Sequence, residues 1–264
     1  MTSSIIPLEI EEKIIDLLAK DDKRYSTVKS CSLVCRAFLP LCRKHIFASI
    51  VLNDTHSQSP TTTRQLERLL SKSPDIAHYI RKLDYTISVD DFTSPAIQEC
   101  LKRITKLQSL EIRHFNRQKM DWSGNHLRPA LLHLLHLPTL TRFMMTGIHK
   151  FSASDLIPCV NMKTLDIGRN TTGIATNIFP ATLPDRSIRL DEFTSGIGSA
   201  TAIMDICTAQ RPDGQPIIDF SSLTKIKVAI EMDNDLEATE ELFERCKQLA
   251  DVSISCKRYP HAHR

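Results

Sequence analysis

The chain has 264 residues, of which 41% are hydrophobic and 25% are charged, and its 34 Lys and Arg residues nearly balance its 31 Asp and Glu residues. The net charge of +3 is too small to make a nucleic acid or a membrane surface the default partner. The apolar content argues against a disordered chain, and only 7 glycines argue against a doubly wound fold with glycine-rich nucleotide loops.

Three short helices are predicted in residues 1–49. The first follows Pro7 and carries one apolar stripe of an amphipathic helix, formed by Ile10, Ile14, Leu17 and Leu18. Ser26 is expected to cap the second helix, whose inward positions are Val28, Cys31, Cys35 and Phe38. Pro40 is expected to end that helix and to open a third over residues 41–47. So small a unit has too little core to be stable alone, and we expect it to need a partner surface or a neighbouring domain.

Residues 50–264 repeat a short apolar pattern that predicts strands. A triplet of the form L-x-x-L-x-L recurs, and its central residues are Ile50, Leu83, Leu110, Phe143, Leu165, Phe193, Ile226 and Val252. These central residues are about 29 residues apart on average, which is close to the period of leucine-rich repeats.

Helical stretches are predicted between these strands. Their apolar stripes are Leu66, Leu69 and Leu70, then Ile97, Cys100, Leu101 and Ile104, then Leu127, Leu131, Leu134 and Leu135, and finally Ala238, Leu242, Cys246 and Leu249. Another helix is expected over residues 200–210 with Ser199 as its cap. Residues 168–189 have no helical pattern and are predicted to form an extended surface connection.

An ordinary α/β sheet is the competing interpretation, because it also alternates strands with helices. We favour a solenoid, in which each repeat packs on the next, because the triplet keeps the same internal spacing throughout. The repeats are irregular, since most of them lack the Asn that usually follows the strand. The predicted fold class is therefore α/β, with a three-helix unit at residues 1–49 and an irregular solenoid of parallel strands and helices at residues 50–264.

Eight cysteines are spread over the chain, at Cys31, Cys35, Cys42, Cys100, Cys159, Cys207, Cys246 and Cys256. They lie in apolar periodic stretches, and the N-terminus has no basic and apolar leader. We therefore expect buried thiols in a reducing compartment, the cytoplasm or the nucleus. Cys31, Cys35, Cys42 and His45 are zinc-type ligands, but the first two are expected in a helix rather than a turn. Buried core cysteines are thus favoured over a metal site.

No catalytic constellation is predicted. His133 and His136 stand three residues apart and are interpreted as a rim beside an aliphatic stripe rather than as metal ligands. The run Gly-Ile-Gly-Ser at residues 196–199 lacks the third glycine of a dinucleotide fingerprint, and no other nucleotide or hydrolase motif occurs. We therefore expect a protein that is not an enzyme and that has no metal or cofactor.

Three runs near the N-terminus occur in the order found in one known domain. They are Ile-Pro-Leu-Glu-Ile at residues 6–10, Ile-Ile-Asp-Leu-Leu at residues 14–18 and Ser-Leu-Val-Cys-Arg-Ala-Phe at residues 32–38. Together they resemble the F-box, and the repeats that follow resemble those of F-box leucine-rich-repeat proteins, especially the divergent ones common in fungi. Ile6 stands where the F-box usually has Leu, and Phe38 where it usually has Trp.

The resemblance implies a substrate receptor of an SCF-type cullin–RING ubiquitin ligase. The helical unit would dock on the small adaptor subunit of the ligase through residues on or behind one face, namely Pro7, Leu8, Glu9, Ile10, Ile14, Val34 and Cys35. The repeats would hold a target protein. The alternative is a leucine-rich-repeat interaction scaffold in which the N-terminal helices only cap the solenoid.

A target protein is expected to contact the outward residues of the strands. The candidates are Lys82, Asp84, Glu111, Arg113, Lys163, Asp166, Lys225 and Lys227. Because these charges are mixed in sign, we expect recognition by shape and local polar groups rather than by bulk charge.

Overall fold

A computed structural model describes residues 7–21, 25–53, 62–88, 90–115, 120–174, 179 and 182–256. Its helices are α1 (Leu8–Asp21), α2 (Ser26–Cys31), α3 (Phe38–Ile46), α4 (Thr63–Lys72), α5 (Pro95–Lys102), α6 (Arg128–Leu135), α7 (Ala200–Thr208) and α8 (Asp233–Arg245). Its strands are β1 (Ser49–Leu52), β2 (Lys82–Thr86), β3 (Ser109–Arg113), β4 (Met120–Asp121), β5 (Arg142–Thr146), β6 (Ile148–His149), β7 (Thr164–Ile167), β8 (Ile188–Arg189), β9 (Glu192–Ser195), β10 (Ile218–Asp219), β11 (Lys225–Ile230) and β12 (Asp251–Cys256). Short 3₁₀ helices occupy Pro74–His78, Asp90–Thr93, Ala153–Leu156 and Phe220–Ser222.

One parallel sheet of eight strands organises the chain after residue 48. Its order is β1-β2-β3-β5-β7-β9-β11-β12, so spatial neighbours follow one another along the chain. The short strands pair separately, β4 with β6 and β8 with β10. Helices or 3₁₀ helices stand between most successive strands of the sheet. The prediction of an α/β fold with parallel strands alternating with helices is confirmed.

The register of the sheet explains why these segments form strands. The second residues of the eight strands are aligned side by side, and they are the central residues of the predicted triplets, Ile50, Leu83, Leu110, Phe143, Leu165, Phe193, Ile226 and Val252. All except Val252 are buried. Burying one such side chain contributes about 1.5–3 kcal/mol, so the aligned row accounts for much of the cohesion of the sheet.

The predicted helical stripes cover the apolar face of this sheet. In α5 and α6 every stripe residue that lies within the helix is buried, and in α4 the stripe residues Leu66 and Leu70 are buried. Helix α7 follows Ser199 as predicted, but the Ser199 hydroxyl donates to the Gly196 carbonyl rather than accepting from the helix. The described part of residues 168–189 contains no helix, in agreement with the prediction.

Helix α1 leaves most of its apolar stripe exposed. Ile10, Ile14 and Leu17 are exposed, whereas the neighbouring stripe, one residue further along, faces the interior, with Glu11 and Ile15 buried and Leu18 packed on the core. Both stripes have the same helical spacing, so the period of the sequence does not choose between them. The choice is made by packing against the buried Val28 and Cys42 of the other two helices.

Helices α2 and α3 begin and end at other residues than predicted. Tyr25, not Ser26, is the N-cap of α2, and α2 stops at Cys31. The hydroxyls of Ser30 and Ser32 bond to carbonyl oxygens of the preceding turn, an alternative that weakens helices rich in serine. Cys35 therefore lies outside a helix, and Phe38 begins α3 instead of ending α2.

The cysteines are only partly the core residues that we expected. Cys42, Cys100, Cys159 and Cys207 are buried, Cys31 and Cys246 are partly buried, and Cys35 and Cys256 are exposed. The prediction is thus wrong for Cys35 and Cys256. Cys35 follows the early end of α2, and Cys256 lies on β12, a sheet edge that no further described strand covers.

Candidate functional site

The N-terminal helices present apolar side chains to solvent. On α1 the exposed fractions are 59% for Leu8, 47% for Ile10, 43% for Ile14 and 58% for Leu17. In the turn after α2 they are 87% for Leu33 and 71% for Val34. We call these six residues the N-terminal apolar face. Large apolar side chains exposed in such number on one small unit make it a candidate interaction surface.

Every residue predicted to contact the adaptor is exposed, namely Pro7, Leu8, Glu9, Ile10, Ile14, Val34 and Cys35. Ile6 of the first run lies outside the described residues. Sequence reasoning did not include the exposed Leu17 and Leu33 among these residues. The turn that exposes Leu33 and Val34 is closed by amide-to-carbonyl bonds from Leu33 to Ser30 and from Val34 to Cys31.

Ion pairs attach α1 to α3. Lys44 of α3 lies 2.8 Å from Glu12 and 3.7 Å from Asp16. His45 of α3 lies 2.7 Å from Asp16. Burial opposes the ionisation of Asp16, but the hydrogen bond from His45 and the charge of Lys44 outweigh it and lower the pKa of Asp16 below its ordinary value.

The helical unit is also attached to the sheet. Arg43 of α3 lies 2.7 Å from Asp75 in the 3₁₀ helix before β2, and Phe47 packs against the main core. The Ala48 carbonyl accepts hydrogen bonds from the amides of Arg81 and Lys82. The unit therefore continues directly into the first strand of the sheet.

The second candidate surface is the face of the sheet opposite the buried triplet residues, which we call the open face. Two registered rows of side chains form it. The first row is Ser49, Lys82, Ser109, Arg142, Thr164, Glu192, Lys225 and Asp251. The second row is Val51, Asp84, Glu111, Met144, Asp166, Thr194, Lys227 and Ser253.

The structure brings most of the predicted target-contacting residues together on this face. Lys82, Lys225, Asp84, Glu111, Asp166 and Lys227 belong to the two rows, and Arg113 follows Glu111 by two residues on the same face of β3. Lys163 is the exception, because it lies outside the two rows. It precedes β7 by one residue, outside the rows, and its ammonium lies 3.5 Å from Asp191. Side chains alternate along a strand, so residues three positions apart, such as Lys163 and Asp166, belong to opposite faces of the sheet.

Sequence reasoning missed ten members of the two rows, among them Arg142, Met144, Thr164, Glu192 and Thr194. The position relative to the central residue of each triplet could have identified them. The residues directly before and after that central residue point to the open face.

The charges of the open face are mostly paired with each other. Arg113 contacts the Asp84 carboxylate and lies 2.6 Å from Glu111. Lys225 and Lys227 lie 3.6 Å and 3.4 Å from Glu192. Burial and the neighbouring Glu111 raise the pKa of Asp84 despite its contact with Arg113.

Asp166 differs from the other acids of the open face. Within the part of the chain that the structure describes, its carboxylate makes no hydrogen bond or ion pair. Its partial burial raises its pKa to about 6, and the charges of Glu111 and Glu192 act in the same direction, against those of Arg142 and Lys227.

The histidines and cysteines that were considered as metal ligands have other surroundings. His133 Nε2 lies 3.2 Å from the Ile104 carbonyl and His136 Nε2 lies 2.8 Å from the Asp155 carbonyl. His45 is bound to Asp16 rather than directed at the thiols. Among the described residues, no group of three or more His, Cys, Asp or Glu side chains is placed to hold a metal ion.

Comparison with protein-family models and with curated protein sequences found no match. None of the helices in the described ranges has the length and apolar character needed to cross a bilayer.

Proposed function

We propose that this chain is a substrate receptor of an SCF-type cullin–RING ubiquitin ligase. Its N-terminal helices form an F-box that binds the small adaptor subunit, and its sheet and helices form an irregular leucine-rich-repeat solenoid that holds a target protein. The observation that carries the proposal is the N-terminal apolar face, because a three-helix unit with a very small core leaves these side chains in water.

Two features of the helical unit support adaptor binding. Its buried core consists of Ile15, Val28 and Cys42, which is little apolar surface for a unit of this length. Its exposed apolar residues would regain about 25 cal/mol for each Å² covered by a partner. The residues of the F-box resemblance, among them Leu8, Ile10 and Val34, lie on this exposed surface.

The strand arrangement supports the solenoid. The strands of the sheet follow chain order, about 29 residues separate one aligned apolar residue from the next, and one face of the sheet is left open. Seven strand spacings make this face about 34 Å wide, which suits a protein surface rather than a small molecule. The target would bind there.

A co-expression experiment tests the docking. The full chain and the adaptor subunit are produced together, and the recovery of the adaptor is compared between the wild type and Leu33→Asp with Val34→Asp. Both positions are largely exposed, so the exchange leaves the helical unit folded while adding charge to the interface. Met232→Asp with Leu236→Asp, which changes two exposed apolar residues associated with α8, is the matched control.

The proposal predicts that the adaptor is recovered with the wild type and the control and is lost with the Leu33 and Val34 variant. Equal recovery with all three, or recovery with none of them, contradicts docking through this face.

The second candidate function is an interaction scaffold whose N-terminal helices cap the solenoid. It is favoured by the attachment of α3 to the sheet through the Arg43–Asp75 pair and Phe47. This alternative predicts target binding by the full chain without recovery of any adaptor, and so the same co-expression experiment separates the two functions.

A further inference from the structure

Asp166 occupies the middle of the open face. It lies on β7, the fifth of the eight strands, and the register places Met144 of β5 and Thr194 of β9 directly on either side of it. Any protein segment that crosses the open face along the strand order therefore passes over this carboxylate.

The charges around Asp166 leave it unneutralised. On one side Arg113 is engaged by Asp84 and Glu111, and on the other Lys225 and Lys227 are engaged by Glu192. Arg142 is the nearest cation of the adjacent strand, but it is exposed and forms no ion pair with Asp166 in the structure. A half-buried, ionised carboxylate with no partner lowers the stability of the folded chain, and a cation bound beside it offsets this loss.

The surroundings specify which kind of cation fits. A metal ion needs several oxygen, nitrogen or sulfur ligands, and the described residues offer no group of three at this place. The neighbours Met144 and Thr194 instead offer apolar atoms beside the carboxylate, which suits the aliphatic stem of a lysine or arginine side chain.

We propose that Asp166 is the receptor for a Lys or Arg side chain on a protein segment that lies across the open face. This inference rests on the proposed function, since it names the side chain by which the sheet holds its target. Met144 and Thr194 contact the stem of that side chain, while the Asp84, Glu111 and Glu192 carboxylates remain occupied by the chain's own cations.

The ionisation of Asp166 gives the interaction a pH dependence. Burial is the main cause that raises the pKa of Asp166 to about 6; Glu111 of β3 and Glu192 of β9 add to it, and Arg142 of β5 and Lys227 of β11 oppose it. Thr164, on its own strand, carries no charge. Below pH 6 the carboxyl becomes neutral and loses its attraction for a cation, so binding weakens about tenfold between pH 7.5 and pH 5.

The test uses the full chain, immobilised, and a random linear dodecapeptide library displayed on phage. Peptides are selected on the wild type, on Asp166→Asn, on Arg142→Gln and on Glu240→Gln. The last variant removes one negative charge from the exposed surface of α8, away from the open face, and is the matched control. One selected peptide is then titrated at pH 7.5 and pH 5.

We expect the wild type and Glu240→Gln to enrich peptides with a Lys or Arg at one fixed position. Asp166→Asn loses that enrichment and its pH dependence, and Arg142→Gln, which removes the competing cation, keeps or strengthens it. Absence of any enriched peptide on the wild type, enrichment that survives in Asp166→Asn, or enrichment of acidic peptides overturns the inference.

These results are independent of adaptor docking. A chain that fails to recover the adaptor but selects basic peptides through Asp166 contradicts the ligase function and leaves this inference intact. A chain that recovers the adaptor but does not select basic peptides through Asp166 contradicts this inference and leaves the ligase function intact.

Discussion

His45 of α3 lies 2.7 Å from the carboxylate of Asp16 on α1, and this contact lies close to the opposite side of α1 from Ile14. Together with the pair between Lys44 and Glu12, it fixes which side of α1 meets α3. The exposure of the apolar residues on α1 is therefore the result of a defined helix packing and not of a loosely attached helix.

The Asp16 contact predicts a small acid-dependent loss of stability. Asp16→Ala is expected to lower the free energy of unfolding by less than about 1 kcal/mol near pH 7, because the pair is partly exposed. Because the folded state lowers the pKa of Asp16, this contribution is present above the ordinary aspartate pKa and is lost as the pH falls through the folded value. Urea unfolding of both proteins between pH 3 and pH 7 measures it, and a difference that grows on acidification contradicts it.

Substitution of Asp155 is expected to lower the free energy of unfolding much more than substitution of Asp16. The Asp155 carboxylate accepts hydrogen bonds from the Trp122 indole at 2.7 Å and from the Arg128 guanidinium at 2.7 Å and 2.9 Å, and it is nearly buried. Asp155→Ala leaves the buried Trp122 donor and a partly buried cation without this acceptor. We expect a loss of about 2–4 kcal/mol in the free energy of unfolding, measured in urea.

The matched control for Asp155 is Asp191→Ala, which removes an exposed carboxylate 3.5 Å from Lys163. This change is expected to cost less than about 0.5 kcal/mol. Equal losses of free energy of unfolding in the two variants would show that the contacts of Asp155 with Trp122 and Arg128 do not stabilise the fold.

Asp166 predicts a gain of stability on substitution. Its folded pKa of about 6 lies above the ordinary aspartate value, so the ionised carboxylate destabilises the folded chain above pH 6. Asp166→Asn is expected to raise the free energy of unfolding at pH 7.5 by about 1–3 kcal/mol. The difference from the wild type should shrink towards zero as the pH falls to about 4. A destabilised variant at pH 7.5 contradicts the burial of an unneutralised charge.

The exposure and the pKa values of the thiols determine the expected order of alkylation. Cys35 and Cys256 are exposed, whereas burial raises the pKa of Cys159 well above that of a free thiol and that of Cys207 to about 12. Iodoacetamide at pH 8 should therefore label Cys35 and Cys256 first in the folded chain, as read by peptide mass spectrometry. Labelling of Cys159 or Cys207 before urea is added contradicts the packing of the core.

The strands could be predicted from the sequence because the apolar residues of each triplet must be buried, whereas the residues directly before and after the central one need not be. This applies even to the weakest triplet, around Phe193, where a strand is present. The recurrence of the triplet along the chain also predicted the parallel order, because a repeated unit packs on its neighbour in chain order.

The orientation of α1 could not be predicted, because Ile14 and Ile15, and likewise Leu17 and Leu18, are adjacent apolar pairs. Either stripe satisfies the helical period, and only the residues of α2 and α3 decide which is covered. In the same way, the unpaired state of Asp166 depends on which cations the neighbouring acids engage, and two of these contacts, Arg113 with Asp84 and Lys227 with Glu192, join different strands.

Binding of the adaptor through the N-terminal apolar face is tested most directly by calorimetry. The purified adaptor subunit is titrated into the full chain and into Leu17→Asp. Leu17 is 58% exposed, so the variant should keep the melting temperature of the wild type within a few degrees. We predict micromolar or tighter binding for the wild type and binding at least tenfold weaker for the variant. Equal affinities for the two proteins, with both fully folded, would contradict the account.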